Sequence, residues 1–119
     1  MKNIGFIFSY SPYGNSFSQE GLDFLISLTG YTNKIGVFFI GDGILNCIKK
    51  QYAENIGLLN YTKRFQILNI LGIKKFYCNI STLKSRGLLG TKNFFLKIKI
   101  LNDFNFKNKL CTFDHIINF

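Results

Sequence analysis

Tryptophan is absent from this chain, and proline, methionine and histidine each occur once, as Pro12, Met1 and His115. Six carboxylates stand against 15 lysines and arginines, and arginine itself appears only as Arg64 and Arg86. With one imidazole and so few carboxylates no metal-ligand cluster can be drawn, so no metal and no cofactor is expected. The cysteines Cys47, Cys78 and Cys111 are odd in number and too widely spaced for a C-x-x-C motif. They read as free thiols in a reducing compartment. No apolar run approaches the ~20 residues needed to span a bilayer. The opening Met1-Lys2-Asn3-Ile4 is too short and too soon interrupted by glycine for a signal peptide, so a cytoplasmic protein is expected. A G-x-x-x-x-G-K-[ST] phosphate loop is missing. Gly41-Asp42-Gly43-Ile44-Leu45-Asn46 begins like a dinucleotide fingerprint, but Asn46 stands where the third glycine belongs and the motif follows the second strand, not the first.

What is present is apolar and basic. A length of 119 residues is enough for one domain, 1–119, and its hydrophobic fraction of 47% predicts apolar surface that lies against a partner subunit. The net charge of +9 allows a nucleic-acid surface. Yet the charge is nearly all lysine, spread along the chain, in a sequence equally rich in asparagine, isoleucine and phenylalanine, as drift toward A/T-rich codons produces. Direct tRNA contact is not expected on that reading.

Asn3 to Tyr10 is a nearly continuous apolar run, the pattern of a strand buried on both faces of a parallel sheet. Ser11-Pro12-Tyr13-Gly14-Asn15 predicts a turn, Ser16 with Gln19 a capping box, and Phe17, Gly21, Phe24, Leu25 and Leu28 a helix up to Gly30. Lys34 to Gly41 is a second strand, followed by Asp42 as an N-cap and a helix carrying Ile44, Leu45 and Ile48. The stretch 51–57 reads as a loop. From Leu58, residues Tyr61, Phe65 and Leu68 mark an amphipathic helix ended by Gly72. Ile73 to Cys78 is a third strand, Ser81 to Arg86 a short helix, and Phe94 to Leu101 a fourth, alternating strand suited to a sheet edge. Asp103 to Lys109 predicts a helical turn or two, and Cys111 to Phe119 a fifth strand. The βαβα alternation predicts an α/β protein with a mainly parallel five-stranded sheet, helices on both faces and right-handed crossovers.

The stretch Tyr77-Cys78-Asn79-Ile80-Ser81-Thr82 carries the candidate chemistry. A cysteine at the carboxyl end of a central strand points to the crevice where open α/β sheets bind ligands. Lys74, Lys75, Lys84 and Arg86, with the positive end of a short helix, are expected to favour its thiolate. The alternative is that Cys78 is a small buried hydrophobe. A phosphatase loop Cys-x5-Arg does not fit, because the sixth residue after Cys78 is Lys84 and no glycine lies between them. A Cys–His hydrolase needs Cys78 and His115 at one site with a third orienting group. Persulfide transfer asks only for one thiolate, which takes a sulfur as Cys-S-S⁻ and passes it to a second thiol.

Several blocks carry a resemblance. Ile4-Gly5-Phe6-Ile7-Phe8-Ser9 with Pro12-Tyr13-Gly14 and Glu20-Gly21-Leu22-Asp23 form the first. Val37-Phe38-Phe39-Ile40-Gly41-Asp42-Gly43, Ser81-Thr82-Leu83-Lys84-Ser85-Arg86-Gly87-Leu88 and Phe113-Asp114-His115-Ile116-Ile117-Asn118-Phe119 follow. Together they resemble the DsrE/DsrF/DsrH sulfur-relay family, most of all its DsrF-like C subunits from the tRNA 2-thiouridine synthesizing complex. The resemblance implies a flavodoxin-like three-layer α/β/α sandwich that assembles with homologous B and D subunits as a dimer of trimers. It also implies relay of persulfide sulfur, through a downstream carrier protein, toward 2-thiolation of the tRNA wobble uridine. In this family the relay cysteine belongs to the D subunit. The chain is therefore expected to be an accessory subunit of a sulfurtransferase complex, with Cys78 as a persulfide carrier the alternative.

Overall fold

A short run with no polar face suits a strand in a sheet covered on both sides, and the apolar runs of this chain fold that way. The computed structural model describes residues 3–10, 17–32, 34–47, 64–88, 90, 94 and 96–119. Its strands are β1 (Ile4–Phe8), β2 (Ile35–Phe39), β3 (Lys75–Asn79), β4 (Lys99–Leu101) and β5 (His115–Asn118). They form one five-stranded sheet in the order β4-β3-β2-β1-β5. All four neighbouring pairs are parallel, with Ile4 opposite both Ile35 and His115, Phe39 opposite Cys78, and Tyr77 opposite Lys99. The helices are α1 (Phe17–Leu28), α2 (Ile67–Ile70), α3 (Ile80–Ser85) and α4 (Asp103–Cys111), with 3₁₀ turns at Gly41–Cys47 and Arg64–Gln66.

Strand alternation divides the core into two layers. Phe6, Phe8, Val37, Phe39, Phe76 and Cys78 face one side, where they meet Leu22 and Leu25 of α1, Ile44 and Cys47, Leu68 of α2 and Leu83 of α3. Ile7, Phe38 and Tyr77 face the other, under Phe106 and Leu110 of α4. The result is a three-layer α/β/α sandwich. The steps from β1 to β4 run over the first face and the return from β4 to β5 over the second, as crossovers of a single hand require. On that second face Phe113 lies over two glycines. A Cβ built on Gly36 comes within 2.3 Å of the Phe113 ring, and one on Gly5 within 3.4 Å. The ring meets Phe38 edge-on at 5.5 Å.

Several boundaries differ from the sequence reading. The segment after β2 is a 3₁₀ helix and not an α-helix, with Asp42 inside it. Among the described residues, the α-helical part leading to Gly72 is the single turn of α2. Strand four shortens to Lys99–Leu101 because β3 and β4 pair only from Tyr77 onward. The fifth strand begins at His115, and Cys111 closes α4, whose N-cap Asn102 accepts from the Asn105 amide at 2.7 Å. The turn at 11–15, Ser16, Ile48, the loop at 51–57, Leu58 and Tyr61 lie outside the described residues. Among the described residues no helix is long and apolar enough to cross a membrane.

Candidate functional site at the carboxyl ends of the strands

In a parallel sheet every β-to-α turn opens on one rim, and chemistry collects there. Cys78 is the fourth residue of β3 and reaches that rim on the α1 side of the sheet. It is fully buried, and its thiol donates to the Asn79 carbonyl at 3.4 Å. Burial pushes the thiol up to about 12, with the Arg86 guanidinium pulling weakly the other way. The expected thiolate-stabilising environment is therefore absent: desolvation of an anion in the core outweighs one nearby cation. Cys47 is buried in the same cluster and is likewise raised, by burial first and by Cys78 second.

Arg86 is committed elsewhere. Its Nε and Nη2 donate to Asp42 Oδ1 at 3.0 and 2.9 Å, and its Nη1 reaches the Thr82 carbonyl at 3.5 Å. This ion pair joins the segments that follow β2 and β3 and holds the guanidinium against a carboxylate. The glycines around Asp42 serve the same turn. Gly41 takes φ +53°, and a Cβ on Gly43 would sit 2.0 Å from the Phe8 carbonyl oxygen, so the backbone packs directly on β1. Asn46, at the third-glycine position of the broken fingerprint, is buried and donates to the carbonyls of Tyr10 and Gly43 at 2.9 Å each. The Gly-Asp-Gly segment thus packs its backbone directly against the end of β1.

A polar network caps the rim beside β4. Asp103 accepts from Asn79 Nδ2 at 3.1 Å and from Ser81 Oγ at 2.6 Å, while Thr82 Oγ1 donates to Asn79 Oδ1. Helix α3 starts at Ile80, one residue before the predicted start, with Asn79 at its N-cap position and Ser81 and Thr82 in its first turn.

His115 starts β5 opposite Ile4, at the amino ends of the strands. From β3 it is three strand spacings away, about 14 Å laterally, so no Cys78–His115 pair exists. Asp114 Oδ2 accepts from the Asn3 amide at 2.9 Å. Among the described residues no group of three or more His, Cys, Asp or Glu side chains could hold a metal. The turn after β3 leaves toward one face of the sheet and the turn after β4 toward the other, so the carboxyl ends of these two neighbours flank the crevice, beside Cys78. A separate cavity of about 430 Å³ at the carboxyl ends of β1 and β5 is lined by Ser9, Tyr10, Asn118 and Phe119.

Sequence reasoning placed Cys78 near the carboxyl end of β3 but missed the Asp42–Arg86 pair and the Asp103 cluster. Their partners lie 44 and 22 to 24 residues apart. The one available signal was arginine in a lysine-rich chain.

The chain is 48% identical to Protein TusC of Buchnera aphidicola subsp. Schizaphis graminum over 119 residues, covering all of both chains. It is 46% identical to Protein TusC of the Acyrthosiphon pisum subspecies (strain Tuc7) and 45% to that of the Baizongia pistaciae subspecies, again over the full length of each. Among solved structures, the ychN protein from E. coli superposes with a TM-score of 0.80 at 16% identity, covering 100% of both chains. Residues 2–119 match the DsrE/DsrF-like family, and the chain belongs to it.

Proposed function

We propose that this chain is a C-type subunit of a cytoplasmic sulfur-relay complex, built with homologous B and D subunits as a dimer of trimers. The complex passes persulfide sulfur through a downstream carrier protein toward 2-thiolation of the tRNA wobble uridine. The part of this chain is to complete the assembly. The observation that carries this division of labour is the Cys78 sulfur, which is wholly buried and holds its proton in a hydrogen bond to Asn79. Full-length likeness to three TusC relatives supports the subunit type. Large apolar side chains left on the surface, among them Ile70 at 82% and Phe104 at 73% exposure, support burial against companions. Co-expression with the B and D homologues should give a single larger species on size exclusion. A chain that stays a monodisperse monomer in their presence refutes the reading.

One observation favours a second reading, in which Cys78 itself carries sulfur: Arg86 lies close enough to lower the thiol's pKa. Its thiolate would attack the terminal sulfur of a donor persulfide, gaining Cys78-S-S⁻ and releasing the donor thiolate. Donor treatment would then add one sulfur, ~32 Da, to Cys78 and to neither Cys47 nor Cys111. Unchanged wobble-uridine thiolation in Cys78→Ser cells rejects this reading.

A further inference from the structure

Lysines that are dispersed in the sequence are gathered by the fold. Before the Tyr77–Lys99 pair the chains leading into β3 and β4 diverge, and a cleft of about 490 Å³ opens between them. Lys74, Lys75, Lys97 and Lys99 rim it around Tyr77, and all four are exposed. Lys99 also lines an adjoining cavity of about 350 Å³ on the α4 side, together with Asn105, Asn108, Lys109 and Thr112. Lys109 Nζ lies 5.7 Å from the centre of the Tyr77 ring, which fixes a fifth ammonium over the same sheet face. Among the described residues neither cavity has a carboxylate in its wall. Asp103 is engaged by Asn79 and Ser81, and Asp42 by Arg86.

Lysine on an edge strand also deters unwanted strand pairing. That accounts for Lys97 and Lys99. It does not account for Lys74 and Lys75, which lead the interior strand β3, nor for Lys109 and the amide side chains on α4. Exposed ammoniums strung along a track, with Lys97 and Lys99 about 7 Å apart by strand rise, suit the repeated charges of a polymer better than one small anion. An acidic segment adding to the sheet edge as a strand would find a β4 ladder of only Lys99–Leu101. Asparagine and threonine beside lysine are the donors that contact phosphate oxygens. Tyr77 is buried, so it offers no platform on which a base could stack.

We infer that this edge of the sheet binds the phosphodiester backbone of a nucleic acid, with Lys75, Lys97 and Lys99 at its centre and without reading base sequence. The inference stands on the lysine track alone and does not depend on which subunit carries sulfur.

The test uses the full chain with any co-purifying subunits and fluorescence anisotropy of a labelled, mixed-sequence 20-nucleotide RNA, with DNA of the same sequence as a second probe. Three to four phosphate contacts predict a slope of log affinity on log salt of about −2 to −3. RNA and DNA should bind within about threefold of each other, since only phosphates are contacted. The triple variant Lys75→Gln/Lys97→Gln/Lys99→Gln should bind at least about tenfold more weakly and flatten the slope by about 2. The charge-matched control Lys34→Gln/Lys84→Gln/Lys107→Gln should change affinity by less than about threefold. Equal losses in the two triple variants overturn the inference, because net charge and not this surface is then responsible. So does poly-glutamate of matched charge binding more tightly than RNA with the same variant dependence, which assigns the track to an acidic protein.

Discussion

Alkylation under native conditions separates the three thiols and tests the burial on which the structural role rests. Only the thiolate attacks an electrophile such as N-ethylmaleimide. A thiol pushed up to about 12 is ionised at pH 7 to roughly one part in 10⁵, against roughly one in 30 for a free thiol near 8.5. The ionised fraction alone therefore slows Cys78 by about 3,000-fold relative to a free thiol, and full burial of its sulfur adds steric exclusion. Cys111 is exposed on the last turn of α4, whereas Cys47 shares the core of Cys78. Peptide mapping by mass spectrometry over a labelling time course should show Cys111 consumed first and Cys78 at least about 1,000-fold more slowly. In a urea series the Cys78 rate should follow the unfolded fraction, because reaction then requires opening of the core. Labelling of Cys78 within tenfold of Cys111 in native buffer refutes the reasoning.

The same burial predicts alkaline sensitivity. Above the free-thiol pKa of about 8.5 the unfolded state loses protons that native Cys47 and Cys78 retain. Their stabilisation is therefore complete below that pH and falls by about 1.4 kcal/mol per pH unit for each thiol above it. For Cys78 the loss ends at about 12. Urea midpoints between pH 8.5 and 10 should decline less steeply in Cys78→Ala than in the parent, and parallel profiles reject the assignment. Gly36→Ala drives a methyl group into the Phe113 ring and should cost about 1–3 kcal/mol. Adding Phe113→Leu should recover most of that in equilibrium unfolding, and strict additivity of the two changes argues against the contact. Gly43→Ala meets the Phe8 carbonyl, which is backbone with no rotamer to yield. It should cost more than Gly36→Ala and resist rescue by any single side-chain change.

How much was legible follows from the range of each cause. Strands β1, β2 and β3 were readable because Ile4 to Phe8, Ile35 to Phe39 and Phe76 to Cys78 are locally apolar on both faces, which is a property of the segment alone. Helix α1 was readable from its period. The extent of β4 was not, because strand length there depends on where β3 and β4 diverge, a pairing across more than 20 residues. Cys111 was assigned to a strand although it ends α4, since a weakly amphipathic helix such as 103–111 has little periodic signal to extend. The position of Cys78 at the rim was found, but its electrostatics were misjudged. Nearby lysines are visible in sequence, whereas the depth that desolvates the sulfur is set by Phe39 opposite it and by the layer of helices above. The lysine track is a similar case: residues 74–75, 97–99 and 109 are separate in the chain and become one surface only through β3–β4 pairing and the seating of α4.

The β1–β5 ladder also has a consequence in time. Ile4 pairs with His115, and Phe119 returns its carbonyl to the Ser9 amide at 2.8 Å and the Ser9 hydroxyl at 2.9 Å. Closing a loop of that length costs about 4 kcal/mol of chain entropy, about 1 kcal/mol more than closing β1 on β2. During synthesis at roughly 5–20 residues per second, β1 waits about 5–20 s for its outer neighbour after it has itself been made. Throughout that interval one edge of the most apolar strand in the sheet is open to another chain, and the arrival of His115 to Asn118 is the event that closes it.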